Sequence, residues 1–331
     1  MRTFLVLILA TAAVAAPTYK VITKIKVGGG TRWDYCYLDS ASHRLYVSHG
    51  TQTEVIDTNS DKVIGTIPGT NGVHGIAIAS DLGKGFTSDG GDNDVTVFDL
   101  NSLKVLSKVK TGQNPDSIIY EPVTHRVFTF NGRSKDSTAI DAKTGEVITA
   151  SIPVGGKPEF SQVDGKGHVF ANIEDKNEII EVDAKNALVS KRYSIAPCDS
   201  PSGLAIDPKS ARLFSVCENH LMVISDPAAG KVLATPAIGG GPDGVAFDDG
   251  YAFSANGQDG TITMVGEAGG KFDVIATIPT QRGARTIAAD QKAHKLYLPT
   301  AEFAAPAESK DGKKGRPQAV PDSFQIVVVG R

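Results

Sequence analysis

Four short segments of this chain read alike and fall at equal intervals: Val55-Ile56-Asp57, Val97-Phe98-Asp99, Ala139-Ile140-Asp141 and Glu181-Val182-Asp183. Their aspartates lie 42 residues apart three times running, and Ser225, in Val223-Ile224-Ser225, continues the step. An aromatic residue recurs on a similar period at Tyr46, Phe86, Phe128, Phe170, Phe214, Phe253 and Tyr297, which makes seven copies. A repeat of this length is one supersecondary unit that cannot bury its apolar face alone, so the copies must stack on one another.

The interior of a copy decides between helices and strands. In residues 72–111, Gly75-Ile76-Ala77-Ile78-Ala79, Gly85-Phe86-Thr87-Ser88, Val95-Thr96-Val97-Phe98-Asp99 and residues 104–109 are short apolar or β-branched runs. Turn residues separate them at Asp81-Leu82-Gly83-Lys84, Gly90-Gly91-Asp92-Asn93 and Asn101-Ser102. Such punctuation signals hairpins. No segment carries a long apolar stripe of helical period. Four strands in about 42 residues is the pattern of a propeller blade. The expected class is all-β: a seven-bladed β-propeller with four strands per blade.

The ends of the chain bear on closure. The last copy runs through Thr286–Asp290, Lys295–Leu298 and Gln325–Val329 and stops one strand short. Lys20-Val21-Ile22-Thr23-Lys24-Ile25 matches Lys62-Val63-Ile64-Gly65-Thr66-Ile67. The N-terminal strand is therefore expected to complete the last blade and close the ring, leaving only short edges. An open solenoid of seven copies is the alternative, but it has no need of a split blade. Tyr46-Val47-Ser48-His49-Gly50 and Phe128-Thr129-Phe130-Asn131-Gly132 resemble the Tyr-Val-Thr-Asn motif of the YVTN-repeat (YncE-like) β-propellers, and Val55-Ile56-Asp57-Thr58 resembles the strand that follows it. No copy carries the full motif; the fifth has Phe214-Ser215-Val216-Cys217. The resemblance implies the fold and export, and says little about function, because the fold hosts binding proteins and enzymes alike.

Export has a signal of its own. Arg2, an apolar run from Phe4 to Leu9, and an Ala13-x-Ala15 site make residues 1–15 a secretory signal peptide. Residues 16–331 then form one domain, expected to be periplasmic or secreted, monomeric and not inserted in a membrane. A formal net charge of −3 gives no global attraction to nucleic acid, which is not an expected partner.

Propeller geometry sorts residues by face. The innermost strand of each blade lines the central channel, and the residues just before it ring the channel's top. Blade equivalence makes that ring Asp34, His74, Asp116, Glu159, Ser202, Asp243 and Arg285. A second ring, at the ends of the second strands, reads His49, Asp89, Asn131, Ile173, Cys217, Asn256 and Thr300. With Arg32, Trp33 and Arg133 close by, the charged, histidine and asparagine members of both rings are candidate ligand-binding residues for a small molecule or protein partner at the top face. His43, His125, His168 and His294 fall on the opposite face and are expected to be simply solvated. His49 and His74, with Asp34 and Asp89, are donors of types that suit a divalent metal such as zinc or copper; no other cofactor is expected.

Motifs of nucleophilic hydrolases, P-loop enzymes, C-x-x-C redox proteins and haem attachment are missing from the sequence. His74, Glu159 and Arg285 supply, by type alone, a set that some seven-bladed lactonases use. Residues 301–322, rich in Pro, Ala and Lys, are expected to be a mobile loop on the top face. Of three cysteines, Cys36 sits within an inner strand as a small hydrophobe. Cys198 precedes the inner strand of the fifth copy and Cys217 ends the next strand, which brings both to one height and favours a disulfide; two independent thiols are the alternative. The function expected on these grounds is a non-enzymatic exported binding or scaffold protein. A lactonase-like hydrolase or lyase is the first alternative, an accessory module of a metal or redox system the second.

Overall fold

Each copy of the repeat folds into a sheet of four antiparallel strands. The computed structural model describes residues 16–305 and 317–331; the signal peptide expected at 1–15 and the middle of the 301–322 insertion lie outside the described residues. Among the described residues, 28 strands make seven four-stranded sheets arranged as the blades of a propeller. The only helical elements among them are the single 3-10 turns Ser80–Leu82 and Glu174–Lys176. Among the described residues no helix is long and apolar enough to cross a membrane. The inner strands, in blade order, are Cys36–Asp39, Val73–Ala79, Pro115–Glu121, Pro158–Val163, Pro201–Ile206, Pro242–Asp248 and Ala288–Asp290.

Closure follows the split-blade scheme. In the seventh blade, Lys20–Lys26 pairs antiparallel with Gln325–Gly330, which pairs with Lys295–Thr300, which pairs with Ala288–Asp290. Tyr19 and Ile25 are buried at the two sides of this blade.

The core is divided among the seams. Among the described residues there are seven apolar clusters, one at each blade–blade interface: Tyr46, Val55 and Ile67 of blade 1 meet Ile76, Ile78 and Phe98 of blade 2, and so on round to the seam between blades 7 and 1. The periodic aromatics are the centres of these seams, and all seven are 4% exposed or less. A sheet buried on both faces needs apolar residues on both, which is why the middle strands read as near-continuous apolar runs.

The periodic aspartates have a local cause. Each ends a third strand and accepts backbone N–H bonds from the next turn, as Asp57 does from Ser60 (2.7 Å) and Asp141 from Lys143 and Thr144 (2.8 and 2.9 Å). In blade 5 the role belongs to Asp226, which accepts from Ala228 and Ala229; Ser225, one residue earlier, is buried against Tyr193. The 42-residue step slips there by one.

Candidate functional site

Five of the seven first-ring residues lie in β-bulges at the start of the inner strands, and Asp34 and Arg285 lie just ahead of theirs. Between Val73 and Ile76, Pro115 and Ser117, Pro158 and Ser161, Pro201 and Leu204, and Pro242 and Gly244 the register with the second strand shifts. His74, Asp116, Glu159, Ser202 and Asp243 sit inside these shifts, unpaired in the ladder. A bulge re-aims its side chain out of the pleat, here toward the propeller axis. Four of the five bulges open with a proline, which sacrifices no ladder bond at the first position of a strand. The dipeptides Pro115-Asp116, Pro158-Glu159, Pro201-Ser202 and Pro242-Asp243 are a sequence signal for the ring that blade alignment alone does not use. Two glycines make room: a Cβ on Gly90 would lie 2.7 Å from His74 Nε2, and one on Gly257 would lie 2.6 Å from Arg285 Cβ.

Five consecutive ring members form one chain of ion pairs. Arg285 Nε donates to Asp243 Oδ2 (2.7 Å), and its Nη2 reaches Asp34 Oδ1 (3.4 Å) and the Trp33 carbonyl (3.1 Å). Asp34 Oδ2 lies 2.6 Å from His74 Nδ1, which is 3.5 Å from Asp116 Oδ1. Blades 6, 7, 1, 2 and 3 are thus tied in sequence across the closure. Glu159 turns instead to Lys157 Nζ (2.7 Å), which also holds Glu174. Burial pulls the His74 imidazole down, but the Asp34 hydrogen bond and the charges of Asp116, Asp34 and Glu159 outweigh it and raise the group to about 9. Burial, only partly relieved by His74, raises Asp116 to about 7, and burial with the Asp116 charge raises Glu159 to about 8.

Aromatic and hydroxyl side chains of the inner strands meet beneath this ring. Tyr35, which is buried, meets Phe160 edge to face with centroids 4.7 Å apart, and Ser117 Oγ and Ser161 Oγ are 2.6 Å apart. Above the ring opens a funnel of about 1290 Å³. Its wall takes Asn71, Asn93, Asn114 and Gln258 from crossings and turns, none of which sequence reasoning singled out, together with Arg282, three residues ahead of Arg285.

The second ring does not face the funnel. Asp89, Asn131 and Asn256 are 0% exposed and point along their own blades. Asp89 accepts from Thr87 (2.8 Å) and Thr96; Asn131 accepts from Thr129 (2.9 Å) and donates to Asp136 (2.9 Å); Asn256 accepts from Ser254 (2.8 Å) and donates to Thr263 (2.9 Å). These side chains tie second strands to third, a structural use of polar groups that buried burial demands be paired. His49 is likewise buried, with Nδ1 2.8 Å from Glu54 and Nε2 2.6 Å from the Gly30 carbonyl. The set His49, His74, Asp34 and Asp89 is therefore not gathered around one point. Asp34, His74 and Asp116 are: one donor atom from each lies within 4.8 Å of the others. His74, Glu159 and Arg285 do not bond one another; Asp34 links the first to the third, and Glu159 stands apart on Lys157.

Trp33 lines the funnel but is packed. It stacks on Phe324 (5.7 Å), lies under the Arg285 guanidinium (5.8 Å) and meets the edge of Phe303 (6.3 Å). Phe303 belongs to the insertion, whose described stems pair at Phe303 and Ala319. Three of the four lower-face histidines are not merely solvated: His125 pairs with Asp81 (3.1 Å), His168 with Asp164 (2.8 Å) and His294 with Asp248 (2.9 Å). Cys198 and Cys217 are disulfide-bonded with Cα atoms 5.5 Å apart, and Cys36 is a buried free thiol.

No family model matches the sequence, and no curated protein matches it. Solved structures do. U3-55K is 10% identical over 93% of this chain and 98% of its own, with a TM-score of 0.76. The WD40 repeats of RRP9 are 10% identical over 95% and 98%, also at 0.76. Hydrazine synthase of Kuenenia stuttgartiensis is 16% identical over 88% and 95%, at 0.70. This chain has the seven-bladed propeller fold. Identities this low carry the fold alone.

Proposed function

We propose that this chain is an exported binding protein of the YVTN-repeat type whose top funnel holds a small ligand without turning it over. One observation carries the reading: a roomy cup above the Tyr35–Phe160 contact, whose polar floor is locked in place by ion pairs through five blades. Pre-positioned polar groups in a concave site fix a ligand's orientation at low entropic cost. Export is supported by the pattern of residues 1–15 and by the disulfide, which persists in oxidising compartments. A thermal-shift screen of small molecules and metals should find a stabilising ligand. Replacing Trp33, His74 and Arg285 together by Ala should abolish its binding, with the β-sheet circular dichroism intact. Undiminished affinity in that variant places the site elsewhere.

A second reading is favoured by one feature. Asp116 and Glu159 hold their protons toward neutral pH beside a charged imidazole, which suits general-acid chemistry on a lactone. Turnover of a lactone panel, lost in Asp116→Asn, would replace the binding reading by the enzymatic one. The Asp34–His74–Asp116 donors are also the place where a divalent metal would sit, and metal analysis of the purified protein reads that directly.

A further inference from the structure

The funnel is furnished with arginine to an unusual degree. The chain has eleven arginines and 23 lysines. Four arginines, Arg32, Arg133, Arg282 and Arg285, line this one cavity, and no lysine does among the described residues. Against four guanidinium groups and His74 stands, among the described residues, a single lining carboxylate, Asp34, already paired with His74 and Arg285. The wall of the cup is thus positive in a protein whose formal net charge is −3, while the carboxyl groups of the floor, Asp243 and Asp116, are taken up by Arg285 and His74.

Arg32, Arg133 and Arg282 are exposed, and among the described residues none of their side chains has a hydrogen-bond or ion-pair partner. Three like charges converging on one cavity repel one another in the absence of an anion. A lysine would supply the charge equally well; arginine adds a planar fork that matches carboxylate and phosphate oxygens two at a time. Arg285 is pre-set for that role, since Asp243, Asp34 and the Trp33 carbonyl fix its Nε and Nη2 while its Nη1 has no partner among the described residues.

The four are divided between two sides. Arg32, Arg282 and Arg285 lie on the crossings into blades 1 and 7, whereas Arg133 follows Gly132 in the turn after the second strand of blade 3. A single acid group is far smaller than the cavity of about 1290 Å³. We infer, on the reading that the funnel is the binding site, that it takes a small polyanion carrying at least two carboxylate or phosphate groups. One group is held by Arg32, Arg282 and Arg285, the other by Arg133.

Isothermal titration of the full chain tests this with pyrophosphate and tricarballylate as two-ended probes, methyl phosphate and acetate as one-ended ones, and spermidine and duplex DNA as controls. The expected result is that pyrophosphate or tricarballylate binds about tenfold or more tightly than its one-ended counterpart, and more weakly as salt rises. Which of the two binds separates phosphate from carboxylate. Arg133→Gln, and Arg32→Gln with Arg282→Gln, should each cost about tenfold in affinity with no fall in melting temperature in the absence of probe, because these side chains are exposed, have no partner among the described residues and repel one another. The inference is overturned if neither polyanion binds, if affinity is unchanged in both variants, or if DNA outcompetes both probes. A neutral or cationic ligand from the wider screen, lost in the Trp33, His74 and Arg285 variant, would leave the funnel reading standing and remove the polyanion. No funnel ligand of any charge would remove both.

Discussion

Burying carboxyl groups around one axis costs desolvation that pairing only partly offsets, and the ring residues carry the consequence in their protonation. A group that binds its proton more tightly folded than unfolded makes stability fall with pH between its two pKa values. For Asp116 that window runs from 3.8 to about 7, for Glu159 from 4.5 to about 8 and for His74 from 6.5 to about 9. All three slope the same way. The His74 contribution is full below its unfolded value and is lost as pH rises through its folded one. The melting temperature should therefore fall as pH is raised from about 5 to about 9, and Asp116→Asn should flatten the part of the curve below pH 7. A flat or rising profile in the parent protein contradicts the ring's charge arrangement.

At the scale of elements, blade 5 departs from its neighbours in a way that can be measured. Where blades 1, 2, 3 and 6 end the second strand on a polar side chain bonded to the third strand, blade 5 ends it on Cys217, cross-linked to Cys198 ahead of the inner strand. The cysteines are 19 positions apart, and closing a loop of that size stabilises by about 3 kcal/mol in the chain-entropy model. Thiol counting on the denatured, unreduced protein should give one free thiol, mapping to the buried Cys36. Three thiols would contradict the bridge. Cys217→Ser should lower stability by about 3 kcal/mol in the same model.

Stability of the whole molecule is shared among seven seams, so the ring is only as closed as its split blade. Deleting residues 18–25 removes Tyr19 from the seam between blades 6 and 7, Ile25 from that between blades 7 and 1, and the partner of Gln325–Gly330. Burial of two large apolar side chains is worth roughly 2–3 kcal/mol each, and a strand edge is left unpaired. The truncated chain is expected to melt about 10 °C or more below the parent. Melting at the parent temperature would show that the N-terminal strand does not hold the ring together.

Blade number, strand order within a blade and the split closure were readable in the sequence, because each rests on local hydrophobic period and turn chemistry that every copy repeats. The first ring was readable for the same reason: equivalent positions in equivalent blades land at equivalent places. The second ring, expected from its position to face a ligand, is buried within the blades. Its residues share a position in the repeat just as faithfully, but hydroxyls two residues back and on the neighbouring strand, such as Thr87 and Thr96 for Asp89, capture them inside the sheet. Periodicity locates a side chain along a strand; only the register of the bulges and the partners across the sheet decide where it points. The pairing of Arg285 with Asp34, 251 positions apart, belongs to the tertiary structure alone, since ring closure is what makes the first blade and the last into neighbours.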